Sequence, residues 1–88
     1  MNRKERIIEK ISNSLEFNSL DVLNNSHLHK GHMGDDGSFE THYKIIIDSN
    51  YLNKISRINA HKEINKALKG EFDTGLHALE IKVVKKVI

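Results

Sequence analysis

Residues 41–48 read Thr-His-Tyr-Lys-Ile-Ile-Ile-Asp. Ile45, Ile46 and Ile47 are contiguous, β-branched and bounded by polar residues. Branching at Cβ stiffens χ1 and suits a pleated backbone, so this run predicts a strand. A continuous apolar run, unlike an alternating one, fits a strand covered on both faces or central in its sheet. Asp48, Ser49 and Asn50 end it, and an irregular turn is expected from Tyr51.

Upstream, residues 24–42 form a polar stretch with four of the six histidines (His27, His29, His32, His42) and three of the five glycines. Asp35-Asp36-Gly37-Ser38 is turn chemistry, because glycine supplies positive φ and aspartate bonds its own backbone. Before this loop, residues 20–25 alternate Leu20, Asp21, Val22, which predicts a short strand with one wet face; Leu23 breaks the alternation. Residues 3–17 place Ile7, Ile8, Ile11 and Leu15 on one helical stripe and leave Arg3, Glu5, Arg6, Glu9 and Lys10 for solvent. The expectation is a helix held by that stripe, with charge pairing playing little part.

Downstream, residues 56–69 predict a second helix with Ile58, Ile64, Ala67 and Leu68 on one face, His61 beside it and Gly70 as its C-terminal cap. Leu76, Ala78, Leu79, Ile81 and Val83 then predict a third strand. The order is α-β-β-α-β. Strands one and two can pair antiparallel across the long loop, and a helical crossover makes strands two and three parallel neighbours. Strand two is then central, as its isoleucine run requires. The fold class is α+β, a three-stranded mixed sheet with both helices on one face.

Eighty-eight residues are expected to make one domain. Without cysteine, the chain has no disulfides and no thiolate ligands of its own, so a metal must be held by His, Asp or Glu, or by groups a partner lends. The N-terminus lacks the pattern of a secretory signal, and no apolar run approaches the ~20 residues of a membrane span, so a cytoplasmic location is expected. A net charge of +2, from 14 basic and 12 acidic residues, does not point to nucleic-acid binding through charge alone. The basic asymmetry lies near the C-terminus, at Lys82, Lys85 and Lys86.

The topology carries the functional argument. Strand one runs into the loop, strand two leaves it, and strand three runs parallel to strand two. His77, at the start of strand three, is therefore expected at the sheet edge that carries the loop. His27, His29 and His32 follow H-x-H-x-x-H spacing, and neutral imidazole ligates iron, zinc, copper or nickel. The spacing alone leaves open a solvated loop with incidental histidines. His42 is expected to be a packed or surface strand residue, His61 to lie between core and solvent, and His77 has the alternative of a partly buried strand-start residue bonded to a backbone carbonyl. Catalysis looks poor: Ser26 and Ser38 lie near histidines but on the loop, with no rigid orienting group.

Asn24-Asn25-Ser26-His27-Leu28-His29, Gly37-Ser38, Glu40-Thr41-His42-Tyr43-Lys44, His61-Lys62 and Leu76-His77-Ala78-Leu79 occur in the order of the BolA family. The chain resembles that family over nearly its whole length, most specifically at residues 40–44 and 76–79. The resemblance implies one BolA-like domain over residues 1–88, with a fold akin to the class II KH domain. It implies pairing with a monothiol glutaredoxin and a shared [2Fe–2S] cluster, in iron–sulfur trafficking or iron regulation. The glutaredoxin and its glutathione would supply two sulfurs. This chain would supply His77 and a loop histidine, best matched by His29, with His32 as the alternative. Where the family usually carries an arginine before the helix histidine, this chain has Ala60, which bears on partner or nucleic-acid contact. The competing reading is a KH-like nucleic-acid-binding transcriptional regulator that touches phosphates through Lys82, Lys85 and Lys86. No glycine stands near residues 48–54, where a KH-type G-x-x-G loop would lie. A third reading is a histidine module that binds zinc or nickel unaided.

Overall fold

The structure, a computed structural model, describes residues 1–29 and 40–85. Helix α1 spans Arg3–Ser14 and is started by Asn2, whose side chain accepts the Glu5 N–H at 2.8 Å. Strand β1 spans Ser19–Asn24, a single 3₁₀ turn follows over Ser26–His29, and strand β2 spans His42–Asp48. Helices α2 (Asn50–Asn53), α3 (Arg57–Ala67) and α4 (Lys69–Asp73) lead to strand β3 (Ala78–Val83).

The sheet order is β1-β2-β3, so β2 is central as its isoleucine run predicts. It pairs antiparallel with β1, Val22 opposite Ile45, and parallel with β3, His42 opposite Ala78. Tyr43, Ile45 and Ile47 point into a core with Ile7 and Ile11 of α1 and Ala60 and Ile64 of α3, which sets these helices on one face of the sheet. The architecture is the expected α+β fold with a three-stranded mixed sheet.

Several local expectations are corrected. The irregular turn at Tyr51 is the short helix α2, because Ser49 caps it: its Oγ accepts the Leu52 N–H at 3.2 Å and donates to the Glu16 carbonyl at 2.7 Å. Gly70 is not a C-cap but lies inside α4. Among the described residues, Gly75 is the glycine with left-handed backbone, at φ 125°. Ile58 is 69% exposed, because at about 100° per residue Ala60 sits about 200° further round the helix. Arg3 is buried, not solvated, and Arg6 and Lys10 are half-buried with it. All three converge on Glu71 of α4, so charge pairing does tie α1 down.

Among the described residues, no helix is long and apolar enough to cross a membrane.

Candidate functional site

The two strand starts that meet at the loop edge are built around Thr41. Its carbonyl accepts the N–H of both His77 (2.8 Å) and Ala78 (3.1 Å), closing the parallel pairing of β2 and β3. Its Oγ1 lies 2.8 Å from His42 Nδ1. The near stem of the loop is fastened to the same place. Ser26 Oγ accepts the N–H groups of Thr41 and His42, each at 3.0 Å, and Asn25 N–H donates to the His42 carbonyl at 2.8 Å. Asn24 Oδ1 accepts the Ser26 N–H at 3.0 Å, so the side chains of Asn24 and Ser26 and the backbone of Asn25 hold the turn against β2.

His77 thus lies at the loop edge of the sheet, as the topology requires, and its backbone N–H bonds the Thr41 carbonyl, but the residue is exposed rather than partly buried as the alternative reading had it. Its ring is exposed. The ring centred 5.3 Å away, tilted by 48°, is that of His42, which is itself 6% exposed. His42 is the packed strand residue expected, but it is also His77's neighbour, which the sequence reading missed. The signal was available: one histidine opens a strand and the other precedes its parallel partner, and such positions lie side by side. The backbone of His29 closes the 3₁₀ turn. The His29 side chain, His32 and Lys86 lie outside the described residues. His27 is exposed on that turn, and His61 lies half-buried on α3, lining a different groove.

Chemically, two neutral imidazoles can supply two donors to a metal ion. A ligating histidine commonly donates its second ring N–H to an acceptor, which fixes the tautomer. With Nδ1–H donating to Thr41 Oγ1, His42 would keep a lone pair on Nε2. Among the described residues, no group of three or more His, Asp or Glu converges, so these two rings do not complete a metal site by themselves. The donor set fits one iron of a [2Fe–2S] cluster, which takes two protein donors beside its sulfides and accepts two imidazoles in Rieske centres.

Helix α4 carries a buried carboxylate. Glu71 is 2% exposed, with Arg3 Nη1 at 2.9 Å, Arg6 Nε at 3.1 Å and Lys10 Nζ also bonded to it. Burial pushes its carboxyl up, but hydrogen bonds and charge from Lys10 and Arg6 outweigh that and hold it below the ordinary value. Beside it, burial pushes the Tyr43 phenol up, and the charge of Glu40 adds to the shift.

Elsewhere, Lys44, Arg57, His61, Lys82 and Lys85 line an open groove of about 390 Å³ along β3, where Glu80 pairs with Lys44 at 3.3 Å. Lys82 and Lys85 are exposed there.

The model of the family described as BolA-like protein matches residues 11–86. An uncharacterized Sinorhizobium protein is 40% identical over 82 residues, covering 92% of this chain and 88% of its own. The DNA-binding transcriptional regulator BolA of Haemophilus influenzae is 30% identical over 81 residues, covering 92% and 75%. The solved structure of BolA1 from Arabidopsis thaliana superposes with a TM-score of 0.83 at 34% identity, covering 97% of this chain and 93% of that one. On these matches, the chain belongs to the BolA-like family.

Proposed function

We propose that this protein is a non-catalytic adaptor that pairs with a monothiol glutaredoxin and shares a [2Fe–2S] cluster with it, in iron–sulfur trafficking or iron regulation. The observation that carries this reading is the exposed His77 ring at the loop edge, 5.3 Å from His42. His77 is one ligand. The second is His29 of the loop, with His32 as the alternative, or His42. The partner and its glutathione supply two sulfurs, which this cysteine-free chain cannot. When bound, the cluster supplies an iron whose neutral imidazole ligands raise its reduction potential over an all-thiolate site. The chain's own residues present the rings: Thr41 orients His42, and the Thr41 carbonyl fixes the backbone of His77. Ser26 spends its Oγ on two backbone N–H groups and serves as a brace, not a nucleophile.

The test is anaerobic mixing with a cluster-loaded monothiol glutaredoxin. The visible spectrum should change, and His77→Ala should abolish the change. Single His29→Ala, His32→Ala and His42→Ala variants then identify the second ligand. An unchanged spectrum with the wild-type chain rejects the reading.

A second reading, nucleic-acid binding and transcriptional regulation, is favoured by the groove of Lys44, Arg57, Lys82 and Lys85 and by the similarity to the Haemophilus DNA-binding regulator. Its affinity would fall steeply with salt, because each phosphate neutralised on duplex DNA contributes a log–log slope of about −0.9.

A further inference from the structure

We propose that Arg3 is a positioning residue for the two-histidine site, clamping together the two chain segments that carry His42 and His77. The proposal rests on the reading of these rings as cluster ligands.

Three cations surround Glu71, but they do not do the same thing. The side chain of Lys10 reaches Glu71, and Arg6 adds one bond to the carbonyl of Met1. Arg3 reaches both arms of the site. Its Nη2 donates to the Thr74 carbonyl at 3.0 Å, and Nη1 donates to the Glu71 carbonyl at 3.2 Å and to Thr74 Oγ1 at 3.3 Å. Its own backbone N–H donates to Glu40 Oε1 at 2.9 Å. Thr74 stands three residues before His77, and Glu40 stands two before His42. One residue therefore joins the start of α1, the approach to β2 and the approach to β3.

The strand ends need such a tie. Ends of strands open at little cost unless held from outside the ladder. The approach to His77 passes through Gly75, whose backbone is the least restrained of any residue type. On the His77 side arginine suits the task, because its planar fork places several donors at fixed angles on Glu71 and Thr74, which a lysine cannot do; on the His42 side the tie is the backbone N–H. A buried ion pair adds little net stability over an apolar replacement of the same volume. Retaining Arg3 almost wholly buried is thus poorly explained by stability alone, whereas a geometric role uses every bond it makes.

The experiment uses the full chain with labelled histidines and reads NMR contacts between the His42 and His77 rings. Arg3→Met keeps the side-chain length and removes the guanidinium donors, which frees the approach to His77 while the backbone N–H to Glu40 stays; Arg6→Met removes a cation from the same carboxylate and leaves both arms tied. The ring–ring cross-peak should persist in wild type and Arg6→Met and be lost in Arg3→Met, while contacts between Ile45 and Ile64 methyls remain. A cross-peak retained in Arg3→Met overturns the proposal. If Arg3→Met does not fold, Glu40→Ala, which releases one arm at a half-buried position, decides by the same cross-peak: weakened supports the clamp, unchanged overturns it. Loss of the cross-peak in Arg3→Met, with a wild-type chain that leaves the glutaredoxin spectrum unaltered, supports the clamp and rejects the adaptor reading instead.

Discussion

Thr41 governs how His42 presents its ring. Its hydroxyl is buried and lies 2.8 Å from Nδ1, where it accepts from Nδ1–H in one neutral tautomer or donates to bare Nδ1 in the other, and so holds the ring's orientation. Thr41→Val keeps the shape and removes the hydroxyl. The fold should lose only about 1 kcal/mol. If His42 is the second ligand, cluster affinity in the mixed complex should drop about 10–100-fold, the usual cost of losing an outer partner of a metal-bound histidine. Nitrogen NMR of the ring and titration with cluster-loaded glutaredoxin check the two effects. Glu71 gives the residue with a pH signature. Its folded pKa lies below 4.5, so its contribution is present above that value and lost as the pH falls through the folded value. Glu71→Gln should therefore flatten the acid limb of stability against pH. It should also cost about 3 kcal/mol near neutrality, because Arg3 is left buried with its charge uncompensated. Chemical denaturation at several pH values reads both. None of this was visible in the sequence, where Arg3 and Glu71 stand 68 positions apart and look like surface charges.

The elements were more legible than their details. The run Ile45–Ile47 announced a central strand because a continuous apolar run has no wet face to offer. The stripe of α1 was equally readable, with Ile7 and Ile11 both fully buried. Its polar face misled, because a periodic pattern says which residues avoid water but not which charges find a partner. The approach to β3 shows the same gap. Two glycines occur around α4, and spacing favoured Gly70 as the helix end, yet Gly75 takes the left-handed backbone. Gly70 answers a different need, since a Cβ there would meet Lys10 Nζ at 3.0 Å, on the path by which that lysine reaches Glu71. Gly75→Ala should cost roughly 1–3 kcal/mol in urea unfolding, the strain of holding an L-residue at that backbone angle. By comparison, Ile45→Ala should cost about 2–5 kcal/mol through the cavity it leaves, a large part of the stability of so small a chain.

Topology puts the two functional readings at opposite ends of one strand. A parallel β3 must begin beside the start of β2, which fixes His77 near His42 and near the loop stem. It must finish beside Ile47, which carries Lys82 and Lys85 to the other end of the sheet. This much followed from the element order alone. Whether a loop imidazole joins these two rings did not follow, because spacing in a polar loop carries no periodicity that aims a ring. At about 3.3 Å per residue, Lys82 lies roughly 16 Å along the chain from His77. That separation makes the readings independently testable. On the adaptor reading, His77→Ala should abolish the spectral change with glutaredoxin and leave any DNA affinity as it was. A Lys82→Ala, Lys85→Ala double variant should do the reverse, lowering DNA affinity and flattening its log–log salt slope by about 0.9 for each phosphate no longer neutralised. Should the double variant instead weaken the glutaredoxin complex as much as His77→Ala does, the groove is part of the protein interface, because the partner then spans β3 from end to end and the lysines serve it rather than nucleic acid.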